Sequence, residues 1–498
     1  MTKNHKKMIK LGSECLYTPI QSLINMSVRT SRFPNELKAA EVTPIFKKND
    51  QLDKTNYRPI SVLPCLSKIF ESVYVDQLSV YFENHFVSAL SGFRKFHNCQ
   101  HVLLNFIEKC KSALDNKKVY GALLTDLSRA FDCLPPKLLI SKLHAYGLDA
   151  KSCMMMANYF TDRKQRVKLA HTRGSWMDID KGAAQGSLIG PFTYNVHSND
   201  LLFLLMCLCD VYNYADDNTI CCAGDTVAQV TKQLENVSSV MIDWFNQNMM
   251  KVNPEKFQYI VFQRHPNAGD FSFINVNDVL IKSQSVVKLL GINIDFKLSF
   301  CYHISQLCSK AGRKLNVLAR LSSTYDSESK MLLFNSFIVS QFNFCPIIWH
   351  FCKRSDMMKI EKICYRALKY VHRDFTASYT ELRERSKQPL SYVNRLKIIL
   401  YEIFKCIMKT NPVYLHELVS LRNNIYNTRG ILKLNISSFN YVKFGKQTFS
   451  HYGATLWNEL PNEFREVLSF KQFKNIVGSW DGPICQCSYC DLCVLKTL

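Results

Sequence analysis

The stretch VYNYADDNTICCAG (211–224) sets two adjacent aspartates, Asp216 and Asp217, inside a run that is otherwise apolar or β-prone. Neighbouring like charges repel by about 1 kcal/mol at 4 Å in water and several-fold more at a protein-like dielectric. A buried strand pays heavily for such a pair. A hairpin tip does not, because it keeps both carboxylates near solvent with a strand on either side. With a third carboxylate from another strand, such a tip would bind Mg²⁺, which prefers oxygen ligands and keeps open positions for water and phosphate. The natural third is Asp126, near the end of the β-prone run VYGALLTDL (119–127). Two ions about 3.5–4 Å apart can activate an attacking oxygen and stabilise a leaving one in a phosphoryl displacement. They would also offset the like-charge cost. On ADD alone, a surface turn that simply favours Asp is the commoner explanation; the surrounding segments decide.

Charge points the same way. Of 498 residues, 63 are Lys or Arg and 41 are Asp or Glu, a net of +22. Such an excess predicts a polyanionic partner, since basic groups that displace counterions from phosphates gain affinity without sequence readout. A membrane is not expected: the run LLFLLMCLC (201–209) is too short to span one and reads as core. The start, MTKNHKKMIKLGSE, has no apolar region of the kind a secretory signal needs. Twenty cysteines without an export signal read as reduced thiols of an intracellular protein, in the cytosol or nucleus.

Along the chain, residues 1–40 read as a lead-in with helical patches, and strands and helices alternate from about 41 to 295. PPKLLISKLHAYGL (135–148) opens on prolines and closes on Gly147, a helical signature. SCMMMANYFTDR (152–163) reads as a second helix. QRVKLA (165–170) and WMDIDKG (176–182) read as paired strands around a turn at Arg173–Gly174. Residues 225–248 have apolar side chains at helical spacing, with Asp225 as the expected N-cap, and FQYIVFQ (257–263) reads as a strand. Beyond 300 the pattern is mostly helical. Between 351 and 409 there are 14 Lys or Arg against 6 Asp or Glu, including Lys359, Lys362, Arg366 and Lys369, which fits a phosphate-facing surface. From about 421 the chain reads as β-prone and aromatic.

The ordered series VTPIFKKND (42–50), NYRPISVLPCLSKIFE (56–71), SGFRKFHNCQHVLLNF (91–106), LLTDLSRAFDCL (123–134), GAAQGSLIGPFTYNVHSNDL (182–201), YADD (214–217), KVNPEKFQYIVF (251–262) and VKLLGINIDFKLSF (287–300) resembles the reverse transcriptase of jockey-type non-LTR retrotransposons. The resemblance implies an α+β right-hand polymerase: fingers and palm over 38–295 after a lead-in (1–37), a helical thumb-like region over 296–420, and a C-terminal segment over 421–498. It implies Asp126, Asp216 and, less directly, Asp217 as ligands of two Mg²⁺ ions. It places Phe131 beneath the sugar, where its ring would clash with a ribose 2′-hydroxyl, and Gln185 and Gly186 in the nucleotide pocket. Lys47, Lys48 and Arg58 would hold the triphosphate, and Lys256 would protonate departing pyrophosphate. The implied partners are an RNA template, a DNA primer or target, and dNTPs.

Three features depart from the family pattern. Ala184 replaces the usual proline before Gln185, and Asn195, His197 and Ser198 put polar groups into an otherwise apolar helix, as drift would. The motifs also begin by residue 43, which leaves no room for the endonuclease such elements carry. A catalytically silent nucleic-acid-binding relic is therefore the runner-up reading. At the end, CQCSYCDLC offers Cys485, Cys487, Cys490 and Cys493 as a Zn²⁺ set, but without the long loop between ligand pairs, so free thiols are the simpler expectation.

Overall fold

The computed structural model describes residues 3–47, 49–125, 130–265, 271–422 and 432–483. Two N-terminal helices, α1 (Lys3–Leu11) and α2 (Ser13–Thr30), lead into strands β1 (Ala40–Phe46) and β2 (Tyr57–Val62). Helices α3 (Cys65–Phe82) and α4 (Cys99–Asp115) precede β3 (Val119–Thr125). Then come α5 (Pro136–Ala145), α6 (Ala150–Phe160), β4 (Arg163–Leu169), β5 (Thr172–Arg173), β6 (Met177–Ile179) and α7 (Ile189–Met206). Strands β7 (Asp210–Tyr214) and β8 (Asp217–Gly224), helix α8 (Val227–Gln247) and β9 (Gln258–Phe262) complete the central region. After two small hairpins the chain is helical from α9 (Cys301–Leu321) onward.

Among the described residues, the strands that carry the site form an antiparallel sheet in the order β7-β8-β3-β9. Its two faces alternate as the pleat requires. Tyr120, Ala122, Leu124, Cys221, Ile260 and Phe262 face one apolar cluster; Leu123, Ile220, Cys222, Tyr259 and Val261 face the other. Gly121 is small because α8 lies against it: a Cβ there would stand 2.5 Å from Val230 Cγ1. A second sheet, β2-β1-β4-β5 with β6 on β4, is tied by Glu41, which takes Arg166 (2.5 Å), Arg173 (3.0 Å) and Lys168 (3.2 Å). The hydrogen bond from Arg166, above all, holds the Glu41 carboxyl down to about 2.

Four local expectations are corrected. β4 and β6 do pair, but the chain reverses at Ala170–His171, where Ala170 takes φ +49, and Arg173 lies in a strand opposite Lys168. The cap of α8 is Thr226, whose hydroxyl accepts the Gln229 amide, and not Asp225. The run 201–209 is only half core: Leu201, Leu202 and Leu205 are buried, while Phe203, Leu204 and Met206 at the amphipathic end of α7, and Leu208 just beyond it, are exposed. The β-prone region after 421 carries a helix, Phe449–Glu459, started by the Thr448 side chain on the His451 amide. Among its described residues, pairing is limited to one bridge, Leu421 to Leu434. Among the described residues no helix is long and apolar enough to cross a membrane.

Candidate active site

The two adjacent aspartates stand at a hairpin tip. Strands β7 and β8 pair from Asp210↔Cys221 to Tyr214↔Asp217, which leaves Ala215 and Asp216 as the turn. Asp216 is half-buried and Asp217 exposed, as a pair of like charges requires. Ala215 takes φ +57, a left-handed conformation that an alanine adopts only when its surroundings hold it. The buried Asn213 does so, donating through Nδ2 to the Ala215 carbonyl (2.9 Å) and to Asn218 Oδ1 (2.8 Å).

The same end of the sheet collects the other strands. Thr125, the last residue of β3, lies opposite Asn218 and donates through Oγ1 to its carbonyl (3.1 Å). Gln258, the first of β9, lies opposite Leu124, so the short turn that carries the exposed Lys256 (Pro254–Lys256) joins the sheet here. Asp126 and Lys48 lie outside the described residues, as do Cys485, Cys487, Cys490 and Cys493.

Phe131 is half-buried against Tyr194 (ring centroids 4.8 Å) and Phe93 (6.0 Å). Tyr194 in turn senses the tip: burial and then the charges of Asp216 and Asp217 push its hydroxyl far above the usual range. Phe93, Phe131 and Tyr194 thus form a row of rings, of which Tyr194 on α7 is the member that feels the carboxylate turn. Gln185 donates through Nε2 to Asp132 Oδ1 (2.8 Å), next to Phe131, and its carbonyl accepts the Ser61 amide (2.8 Å). Gly186 has φ +131, and a Cβ there would stand 2.5 Å from the Ser61 carbonyl. The close backbone approach is therefore to β2, which docks the β2-β1-β4-β5 sheet on the loop before α7. Lys47 and Arg58 lie on the exposed outer part of the β1–β2 hairpin, towards its tip from Ser61.

Sequence reasoning passed over two groups. Asn213 carried no motif signal beyond its place before YADD. Asn195 and Asn199, within a segment read as drift, are instead buried and bonded: Asn195 Nδ2 to the Gly92 carbonyl (2.8 Å), Asn199 Nδ2 to the His85 carbonyl (3.0 Å). The pessimistic expectation is met at Asn195 Oδ1, buried without a partner, and most fully at His197, with both ring nitrogens buried and unpartnered. As for metal, the described donor set at the tip is two carboxylates, hard oxygen ligands suited to Mg²⁺ rather than to a soft ion.

A family model described as reverse transcriptase (RNA-dependent DNA polymerase) matches residues 45–294. The chain is 24% identical over 403 residues to the probable RNA-directed DNA polymerase from transposon BS of Drosophila melanogaster, covering 75% of this chain and 44% of that protein. It is 25% identical over 323 residues to the RNA-directed DNA polymerase from mobile element jockey of the same organism, covering 62% of this chain and 34% of that protein. The chain thus spans less than half the length of these curated relatives. Among solved structures, apo telomerase from Candida tropicalis aligns over 76% of this chain and 67% of that one, at 10% identity and a TM-score of 0.41. On the match that covers half its length, this chain belongs to the reverse transcriptase (RNA-dependent DNA polymerase) family, and its relatives are of the jockey-like, non-LTR kind.

Proposed function

We propose that the chain is an RNA-directed DNA polymerase that extends a DNA primer on an RNA template with dNTPs. The observation that carries this reading is the convergence, at one end of the β7-β8-β3-β9 sheet, of the Asp216–Asp217 turn, the end of β3 and the start of β9. Asp126 follows Thr125 directly in sequence and completes the carboxylate set. Bound Mg²⁺ would supply the charge that lowers the pKa of the primer 3′-hydroxyl and stabilises the leaving pyrophosphate.

The chain's own residues do the rest. Asp126, Asp216 and Asp217 hold the ions. Phe131, steadied by Tyr194, rejects a ribose 2′-hydroxyl. Gln185, fixed by Asp132, lines the nucleotide pocket beside Gly186. Lys47, Lys48 and Arg58 on the β1–β2 hairpin meet the triphosphate; arginine suits bidentate phosphate contact and lysine acts as a point charge. Lys256 delivers a proton to pyrophosphate. Residues 38–295 act as fingers and palm, 296–420 as thumb, and the target DNA places the work in the nucleus.

Extension of oligo(dT) on poly(rA) with dTTP and Mg²⁺ tests the reading. Incorporation by folded protein is expected, and its absence would leave a silent nucleic-acid binder. A companion substitution, Phe131→Ala, should admit ribonucleotides, raising rUTP incorporation relative to dTTP by about tenfold or more. An unchanged ratio would remove Phe131 from the sugar gate.

A further inference from the structure

Asn195, one of the residues that looked like drift in α7, and Asn199 hold a strap against the carboxylate turn. Asn195 and Asn199, one helical turn apart and both buried, grip the segment 83–94 at two points. Asn195 Nδ2 donates to the Gly92 carbonyl (2.8 Å). Asn199 Nδ2 donates to the His85 carbonyl (3.0 Å), and its Oδ1 accepts the Val87 amide (2.9 Å). Arg94 closes the segment on itself: its Nη1 donates to the Val87 and Leu90 carbonyls (3.0 and 2.9 Å), and its Nη2 pairs with Glu83 (2.6 Å). The strap is therefore braced by its own Arg94 as well as by α7.

What it meets is the turn. Gly92 lies directly on Ala215, so closely that a Cβ at Gly92 would stand 2.7 Å from Ala215 Cα and 3.2 Å from its Cβ. Ala215 is the left-handed residue immediately before Asp216. It is pressed from outside by Gly92 and held from inside by Asn213. An off-region backbone of this kind persists only where the surroundings over-determine it, and here they do so from two sides.

Resting on the polymerase reading above, we propose that Asn195, acting through Gly92, is a positioning residue that sets the height of the Asp216–Asp217 turn and so its fitness for a shared divalent ion. It touches neither substrate nor metal. Its effect passes through a glycine backbone contact.

The test compares wild type with Asn195→Leu, Asn195→Asp, Gly92→Ala and Asp216→Asn. Mn²⁺ affinity is read by electron paramagnetic resonance on the nucleotide-free protein. Primer extension supplies kcat, the KM for dTTP and the Mg²⁺ concentration for half-maximal rate, and circular dichroism supplies Tm. Asn195→Leu and Gly92→Ala, which reach the turn from opposite partners of one contact, should each weaken Mn²⁺ binding about 10–100-fold, as loss of an outer-shell support does. They should also raise the Mg²⁺ requirement and lower kcat, with added Mg²⁺ restoring part of the rate and little change in KM for dTTP. If Asn195→Leu fails to fold, Asn195→Asp, which keeps the shape and loses the donor, is judged by the same readouts.

Wild-type Mn²⁺ affinity and Mg²⁺ requirement in the folded Asn195 and Gly92 variants, while Asp216→Asn loses both ion binding and extension, would overturn the positioning role of Asn195 and leave the polymerase reading standing. Retention of ion binding and extension by Asp216→Asn would instead bring down the reading and the positioning role with it.

Discussion

His197 is a wholly buried imidazole with no hydrogen-bond partner at either nitrogen, stacked edge-on to Trp244 at 5.5 Å. Burial, with the nearby Lys142 charge, lowers its pKa to about 3. Because the folded value lies below the unfolded one of about 6.5, the unfolded chain takes up the proton first. Stability is therefore full above pH 6.5 and declines as pH falls from there towards 3. His197→Phe keeps the ring and removes two unsatisfied nitrogens. It should raise stability at pH 7 by about 1–3 kcal/mol and flatten the acid slope, as read by thermal unfolding at pH 7 and 4.5. A lower Tm at both would mean that the nitrogens have partners. Single residues were unevenly legible. The Asp216–Asp217 pair announced itself by its charge cost. Asn195 and Asn199 did not, because a polar residue inside an apolar helix looks the same in sequence whether or not a distant carbonyl, here Gly92 or His85, comes to meet it.

Elements with their own punctuation were read well. The helix over Pro136–Ala145 closes at Gly147 with φ +90, and the short apolar run FQYIVFQ forms β9, buried on both faces of the sheet. Misreadings arose where neighbouring residues compete for one role. Asp225 and Thr226 are both good caps, and the one whose side chain reaches the Gln229 amide wins. Thr226→Ala should therefore cost about 1 kcal/mol, and Asp225→Ala close to nothing, in chemical unfolding; the reverse order would restore the sequence expectation. Residues 449–459 have β-prone and aromatic members, yet form a helix because Phe449, Leu456 and Trp457 share one face that packs into the core. Local propensity yields there to burial, since Phe404, Phe473 and Trp457 stack on one another at 4.5–6.5 Å.

At the scale of the molecule, one apolar cluster runs from Val102 in α4 through the carboxylate-bearing sheet to Val477. Helix α4 is the shared wall. Its Glu108 accepts the amides of Phe449 (2.7 Å) and Ser450 (3.0 Å) at the start of a C-terminal helix, Asp115 accepts the Tyr441 amide (2.7 Å), and His101 meets Glu402 (3.0 Å). None of these partnerships was readable from sequence, since they join residues some 300 positions apart. Glu108→Ala should lower stability by about 2 kcal/mol, the cost of two orphaned amides at a helix start, and sheet and helices should still melt in one transition. Two separated transitions would contradict the shared core.

The central claim is that the sheet end bearing the carboxylate turn performs the polymerisation, and the rate of primer extension by Asp216→Asn measured beside its RNA affinity tests it most directly. The account predicts a fall in kcat of about a thousandfold or more with template affinity within about twofold of wild type, since the chain keeps its large excess of Lys and Arg, whose attraction to phosphates does not depend on one carboxylate. Extension at the wild-type rate by the folded variant would contradict it.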